Sequence, residues 1–369
     1  MSEFSAADRQ FMARALQLAE QGLYSTDPNP RVGCVLVRDG VIVGEGWHQV
    51  AGGPHAEVLA LQQAGEAARG ATAYVTLEPC CHHGKTPPCS EALITAGVGR
   101  VIAAMQDPNP LVAGKGLAQL QQAGIAVASG LLAEQAEALN PGFVARMRDG
   151  KPFVRCKLAM SLDGRTAMAS GESKWITGAA ARADVHRLRA RSSAIMSGIG
   201  TVLADDPSLT VRLENDELAP RQPLRVVLDP HLSTPPGARF LQQPGCSLIA
   251  TACEESAPRL ALEAAGAEVV HLPQGPDAID LHALMGLLAE RQVNEVLLET
   301  GAVLSGALLH AGIIDELVIY MAPKLMGDGG RGLFHTPGLE KLADAVPLRI
   351  ADIRPIGDDW RITACIIED

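Results

Sequence analysis

A chain of 369 residues is longer than one hydrophobic core usually serves, so two domains are expected. A hydrophobic fraction of 47% suffices for globular cores, while a formal net charge of −11 with 3% aromatics argues against wrapping a phosphate backbone or stacking bases. A small anionic substrate needs only a few local cations and stays open. The eight cysteines, Cys34, Cys80, Cys81, Cys89, Cys156, Cys246, Cys253 and Cys365, are not spaced as a disulfide framework, which points to a reducing, cytoplasmic setting. The first eight residues lack the basic and apolar regions of a secretory signal. The stretch from Val296 to Ile314 is apolar but contains Glu299, His310 and glycines, and reads as a strand and a helix, with no membrane span expected.

In chain order, Asp8 to Gln21 has apolar residues at helical spacing and stops at Gly22. Asp27-Pro28-Asn29-Pro30 is a turn-rich loop leading into a strand at Val32 to Val37. Asp39-Gly40 is a hairpin signal, and Val41 to Trp47 is the returning strand, with His48 at its end. Gly52-Gly53-Pro54 introduces a helix from about His55 to Ala68. A strand at Val75 to Leu77 delivers Glu78-Pro79-Cys80, and Cys89 opens a helix over Ser90 to Ala96, where the helix end favours a thiolate. Strand Val101 to Ala104, loop Asp107-Pro108-Asn109-Pro110, helix Leu117 to Ala123 and strand Ile125 to Val127 complete an alternating unit, which predicts a three-layer α/β/α sandwich. A short helix, Glu134 to Leu139, ends at Asn140-Pro141-Gly142, and Arg146 to Pro152 is a charged connection. This divides the chain into domains over 1–146 and 151–369.

The second domain opens with an alternating strand, Phe153 to Met160, and the loop Ser161-Leu162-Asp163-Gly164. Helix Ala179 to Ala190, strand Ala194 to Ser197 and the turn Gly198-Ile199-Gly200-Thr201 follow. A dinucleotide fingerprint requires a glycine where Leu203 stands, so that motif is not met. Strand Leu224 to Asp229 comes next. Strand Glu295 to Glu299 then runs into Thr300-Gly301-Ala302-Val303-Leu304-Ser305-Gly306, a glycine-rich strand-to-helix turn of the kind that offers backbone N–H groups to a pyrophosphate.

The chemistry concentrates on His55-Ala56-Glu57 and on the segment from Glu78 to Cys89. One imidazole and two thiols can close three corners of a zinc tetrahedron and leave the fourth open, which is a catalytic arrangement. A carboxylate two residues after the histidine can move the proton of a zinc-activated water. The pattern matches the zinc-deaminase signature H-x-E…P-C-x-x-C, except that eight residues, Cys81 to Pro88, separate the two cysteines. Cys81 competes with Cys80 as ligand. His82 and His83 read as polar loop residues. His55 and Glu57, two apart on a helix, are expected to point in different directions, so Glu57 stands beside the metal and is not a ligand. Gly84-Lys85-Thr86 is no phosphate-binding P-loop, because Pro79 occupies the position of the earlier glycine.

Pro79-Cys80-Cys81-His82-His83-Gly84-Lys85-Thr86-Pro87-Pro88-Cys89, with Asp27 to Cys34 upstream and Ser161 to Thr166 downstream, resembles the bifunctional deaminase/reductase family of riboflavin biosynthesis. These motifs lie in both halves of the chain. The resemblance implies a cytidine-deaminase-like N-terminal domain and a dihydrofolate-reductase-like C-terminal domain. It makes Cys80 the metal ligand with His55 and Cys89, and Glu57 the catalytic residue. Asn29, His48, Lys85 and Asn109 would hold a phosphorylated pyrimidine. NADPH would lie near Ala159, Trp175, Thr201, Asp205 and Gly301, Ala302, Val303, Leu304, Ser305, Gly306 and Ala307. The second substrate would lie near Ser173, Arg189, Leu209, Arg212 and Glu299, where the guanidinium groups of Arg189 and Arg212 suit a sugar phosphate, against the plainer reading as surface ion pairs. Lys157 and Asp205 are candidates for proton transfer during reduction. An apolar, helix-rich C-terminal domain makes a homodimer reasonable. Two rivals remain: a tRNA or nucleoside deaminase fused to an unrelated domain, and a zinc-stabilised binding module in which Glu57 merely caps a helix.

Overall fold

The computed structural model describes residues 4–81, 88–213, 215–273, 275 and 279–367. The chain divides into two compact units, Met1–Gly150 and Lys151–Asp369. In the first, helix α1 (Ala6–Glu20) starts on Ser5, whose hydroxyl caps the Asp8 amide while the Asp8 carboxylate returns a bond to the Ser5 backbone. Strands β1 (Gly33–Arg38) and β2 (Val41–Trp47) form the expected hairpin, with both Asp39 (φ 52°) and Gly40 (φ 76°) in the left-handed region that a tight two-residue turn needs.

Helix α2 (Ala56–Ala64), strand β3 (Thr72–Val75), helix α3 (Cys89–Thr95), strand β4 (Arg100–Ala103), helix α4 (Lys115–Gln122) and strand β5 (Ala126–Ser129) follow. The sheet order is β2-β1-β3-β4-β5, antiparallel from β2 to β3 and parallel from β3 to β5. Alternate side chains of β1 enter different cores. Val35 and Val37 pack with α1 residues Met12, Ala15 and Leu16. Cys34 and Leu36 pack with Ala56, Ala60 and Ala64 of α2, Leu93 of α3 and Leu120 of α4. That is the α/β/α sandwich.

After helix α5 (Ala133–Leu139) the structure departs from the expected charged connection, because helix α6 (Pro141–Asp149) runs through it. Pro141 occupies the first turn, where a missing N–H costs nothing, and Phe143 and Val144 turn inward. The arginines that read as a linker, Arg146 and Arg148, lie in the last turn, where cations oppose the helix dipole.

Among the described residues, the second unit is built on nine strands. They are β6 (Phe153–Ser161), β7 (Ala194–Gly198), β8 (Leu224–Leu228), β9 (Ser247–Thr251), β10 (Ala267–His271), β11 (Glu295–Leu298), β12 (Glu316–Ala322), β13 (Leu348–Ile356) and β14 (Asp359–Ile366). Their order is β10-β9-β8-β7-β11-β6-β12-β14-β13, parallel from β10 to β12 and antiparallel at the last two. Helices α7 (Ala179–Arg191), α8 (Ile199–Asp205), α9 (Ser256–Ala264), α10 (Leu281–Glu290) and α11 (Ala302–His310) cover it. A sheet is the frame of this unit, as expected of an α/β domain. On one face Leu284, Met285 and Leu288 of α10 and Leu308 of α11 pack on Cys156, Met196 and Leu298. On the other, Val202 and Leu262 pack on Ile195, Val227 and Ile249. The chain steps outward from β7 to β10 and returns to insert β11 between β7 and β6, so the carboxyl ends of β6, β7 and β11 meet at a topological switch point, where open α/β sheets form ligand crevices.

Gly44 and Gly46 of β2 lie under α2. A Cβ at Gly46 would stand 2.4 Å from the Ala56 carbonyl oxygen, and one at Gly44 would stand 2.2 Å from that of Ala60. The helix therefore rests directly on strand backbone. Gly46→Ala is expected to destabilise the first unit by about 1–3 kcal/mol, read as a shift of its urea midpoint with the transition of the second unit unmoved.

Candidate active site

His55 is the N-cap of α2, with extended backbone (φ −76°, ψ 163°), and Glu57 lies in the first turn. The expectation that the two side chains diverge assumed that both are helical. An extended N-cap is not bound by helical spacing, and the two groups meet: Glu57, 3% exposed, is hydrogen-bonded by the Cys89 thiol and interacts with His55 and Cys80. His55 Nδ1 lies 3.2 Å from Cys89 Sγ and 3.6 Å from Cys80 Sγ, and the Cys89 backbone N–H donates to Cys80 Sγ at 3.4 Å. Among the described residues, His55, Cys80 and Cys89 form a cluster whose ligand atoms all lie within 4.8 Å of one another, and Cys81 is not in it.

The electrostatics of the cluster are those of a group short of a cation. Hydrogen bonds from Cys89 and His55 hold the Cys80 thiol well below the ordinary thiol range, against the pull of burial. Burial and the Cys80 sulfur push the Glu57 carboxyl up to about 7. Hydrogen bonding to Cys80 raises His55. One imidazole, two soft sulfurs and a separate carboxylate suit a zinc ion with three protein ligands and an open position.

His48 and Asn29 adjoin this cluster. The His48 ring meets that of His55 edge-on, with centroids 5.4 Å apart, and burial lowers its pKa. His48 Nδ1 lies 3.0 Å from the Pro54 carbonyl oxygen, which can only accept, so Nδ1 carries the hydrogen and Nε2 accepts from Asn29 Nδ2 at 3.1 Å. The Asn29 amide is thereby oriented through its Nδ2 group. The Asn29 loop is held by Asn140, which accepts from the Arg31 N–H at 2.8 Å and donates to the Arg31 carbonyl at 2.9 Å. Asn109 follows β4 at the same end of the sheet, with its Oδ1 accepting from the Leu111 N–H. Lys85, with His82 and His83, lies outside the described residues.

In the second unit the candidates gather at the switch point. Ala159 is near the end of β6, Thr201 is in the first turn of α8, and Gly301 is the N-cap of α11. The turns are stitched together: Ser197 Oγ donates to the Glu299 carbonyl at 2.7 Å, and the Glu299 N–H donates to that of Met196. Asp205 is paired with Lys174 Nζ at 2.8 Å, beside the exposed Trp175, whose ring carries the Arg182 guanidinium at 4.7 Å. Ser173 is half-buried in the same segment. Within α11 the six candidates after Gly301 separate. Ala302, Val303, Leu304 and Ala307 are exposed or half-buried, whereas Ser305 faces the Cys156 thiol and Gly306 packs on the His335 carbonyl, both in the interior.

Arg189 is neither the free phosphate cation nor the surface pair that the sequence suggested. It clamps Glu299 with Nε at 2.6 Å and Nη2 at 3.0 Å, and donates to the Thr210 carbonyl. Lys157 Nζ adds a third contact to Glu299 at 3.2 Å. Burial pushes the Glu299 carboxyl up, but Arg189 and Lys157 outweigh it and hold the group well below the usual carboxylate range. Leu209 is 3% exposed with φ 49°, and its side chain belongs to the core with Ile195, Val202 and Val227. The Arg212 N–H donates to His186 Nδ1 at 3.1 Å. Sequence reasoning missed two residues that organise these sites, Glu78 and Asn140. Both hold backbone groups distant in sequence and carry no spacing signal.

Residues 5–105 match the cytidine and deoxycytidylate deaminase zinc-binding region, and residues 152–362 match the RibD C-terminal domain. The riboflavin biosynthesis protein RibD of Escherichia coli is 56% identical over 361 residues, spanning 95% of this chain and 97% of its own length. The chain belongs to the RibD family. The RibD of Haemophilus influenzae is 54% identical, with 98% of each chain covered. Among solved structures, Acinetobacter baumannii RibD superposes with a TM-score of 0.90 at 46% identity, covering 98% of this chain and 99% of that one. The Thermotoga maritima deaminase/reductase does so with 0.85 at 34% and the same coverage. This RibD-family chain is thus a bifunctional deaminase/reductase of riboflavin biosynthesis, with a cytidine-deaminase-like first domain and a reductase second domain. A deaminase fused to an unrelated domain does not fit relatives that match across both halves. None of the described helices is long and apolar enough to cross a membrane.

Glu299→Gln leaves the Arg189 guanidinium buried without its counter-charge and is expected to cost the second unit about 3–5 kcal/mol at pH 7. Because the folded-state pKa of Glu299 is depressed, its contribution is complete above the unfolded value of about 4.3 and is lost as pH falls below it. The stability gap between wild type and variant in urea titrations should therefore be constant from pH 7 to 5 and shrink below about pH 4.

Proposed function

We propose that this chain hydrolytically deaminates 2,5-diamino-6-ribosylamino-4(3H)-pyrimidinone 5′-phosphate and then reduces the ribosyl side chain to ribityl with NADPH, giving 5-amino-6-ribitylamino-uracil 5′-phosphate. The observation that carries the reading is the convergence of His55 Nδ1 and the sulfurs of Cys80 and Cys89 beside the buried Glu57. These three residues would hold one Zn2+. The chemistry zinc would supply there is a water made acidic enough to lose its proton near neutral pH.

Glu57 then takes the proton of the attacking water on a carboxylate oxygen and returns it to the departing amino nitrogen. A carboxyl pushed up to about 7 suits both transfers. Asn29 offers Oδ1 to the pyrimidine in the orientation imposed by the neutral His48 ring. Lys85 and Asn109 complete the substrate site, Lys85 as a phosphate cation.

In the reductase domain, NADPH would lie along Ala159, Trp175, Thr201, Asp205 and the turn from Gly301 to Ala307, and it supplies the hydride. The switch point at β6, β7 and β11 supports that placement. Ser173, Leu209, Arg212 and Glu299 would line the second substrate, with Arg189 holding Glu299 in place. Lys157, 3.2 Å from Glu299, can donate a proton there, whereas Asp205 is committed to Lys174. Exposed Leu348, Ile350 and Ile353 on the edge strand β13 support a homodimer through this domain. Eight free cysteines fit a reducing cytoplasm, and a net charge of −11 fits a small-molecule substrate and not nucleic acid.

Ammonia release and NADPH oxidation are each expected of the purified zinc-loaded protein, and the absence of both overturns the reading. Glu57→Gln should lower deamination by about 10²–10⁴-fold while zinc content and the reductase rate stay at wild-type values. Unchanged deamination would instead remove Glu57 from the proton relay.

A further inference from the structure

Glu78 precedes the Pro79-Cys80 segment, and its side chain is buried at 3% exposure. Its Oε1 accepts from the backbone N–H groups of Gly116 (2.9 Å) and Leu117 (3.1 Å), and its Oε2 from those of Gly114 (2.9 Å) and Asp107 (3.1 Å). These four donors lie on both sides of the loop that follows β4 and contains Asn109. A single carboxylate therefore closes that loop at its two ends. An ionised carboxyl is acceptor-only, with room for about four donors, so no uncharged side chain of this length can make the same set.

The main chain reinforces the link. The Glu78 N–H donates to the Met105 carbonyl at 3.0 Å, and Gly116 approaches Pro79 so closely that a Cβ there would lie 2.0 Å from the Pro79 carbonyl oxygen. The Ser90 hydroxyl lies 3.0 Å from the Cys80 carbonyl oxygen and 2.7 Å from Gln119 Oε1, tying α3 and α4 to the same segment. The Asn109 loop and the Cys80 segment are thus one rigid body.

We propose that Glu78 is a positioning residue for deamination: it sets the Asn109 loop at a fixed place relative to the His55, Cys80 and Cys89 group. It touches no reacting atom and acts through Asn109. The inference rests on the deaminase reading. An amide at position 78 keeps one acceptor oxygen and turns an NH2 either toward Gly116 and Leu117 or toward Asp107 and Gly114, so two of the four bonds that hold the loop are lost while the side-chain volume is kept.

The test uses the full-length, zinc-loaded chain and the phosphorylated diaminopyrimidine, with ammonia release as the readout. Glu78→Gln should raise KM by about tenfold or more with kcat within about threefold, keep one zinc per chain, and leave the reductase rate unchanged. On an Asn109→Ala background the same substitution should change KM by less than about twofold, because the two residues act as one unit. Gly116→Ala, which keeps the carboxylate but pushes the loop off Pro79, should reproduce the KM effect if Glu78→Gln does not fold. An unchanged KM, additive effects in the cycle, or loss of zinc as the sole defect would each overturn the proposal. Absence of ammonia release from the wild-type chain would instead refute the deaminase reading itself.

Discussion

The first domain is arranged around the meeting of three ligand atoms that sequence places 34 residues apart at most. His55 can reach the two sulfurs because it caps a helix without belonging to it, and Cys89 can because it begins one. Two helix ends must then face each other across the strand that delivers Cys80. That requirement runs down into the sheet. Helix α2 sits on bare backbone at Gly44 and Gly46, and the alternation of β1 divides its side chains between the two helical layers. A side chain at either glycine would lift the helix and carry His55 with it.

Local chemistry was readable from the sequence, and remote chemistry was not. His-x-Glu before a helix, Pro-Cys after a strand and Asp-Gly between strands each state their own geometry, since turn, cap and ligand lie within a few residues. Helix α6 was misread because charge was taken for a linker, although Pro141 and the inward Phe143 and Val144 mark a first turn and a buried face. Arg189 and Glu299 are 110 residues apart, and nothing in either neighbourhood says that they pair. Glu78 is the strongest case. Its partners are backbone amides 29 to 39 residues downstream, and backbone amides leave no mark in a sequence.

The site proposed for the reductase domain rests on topology more than on motif. No dinucleotide fingerprint is present, yet inserting β11 between β7 and β6 brings three strand ends together and leaves two helix N-termini, at Gly198 and Gly301, beside them. The side chains there are already engaged. Glu299 is clamped by Arg189 and Lys157, and Asp205 by Lys174. A ligand entering such a crevice meets groups whose orientation has been fixed before it arrives, so little ordering entropy remains to oppose binding.

Burying a carboxylate is costly unless its charge is met, and this chain meets it in two ways. Glu78 is met by four backbone N–H groups, and Asp229 by the amide and hydroxyl of Thr234. Glu295 and Glu299 are met by arginines and, for Glu299, a lysine. Backbone donors need no side-chain ordering and hold the acid as a fixed anchor, while cationic partners hold it firmly ionised. Glu57 has only its own backbone N–H, the Cys89 thiol and the His55 ring to set against burial and the Cys80 sulfur. Its neighbours are sulfurs, one of them held as a thiolate, and an imidazole, and burial drives its carboxyl up to about 7. A buried acid that merely supports the fold gains nothing from being left there, whereas one that must accept and release a proton within each turnover requires a pKa near neutrality. That contrast sets Glu57 apart from every other buried acid just named and supports the proton-relay role proposed for it.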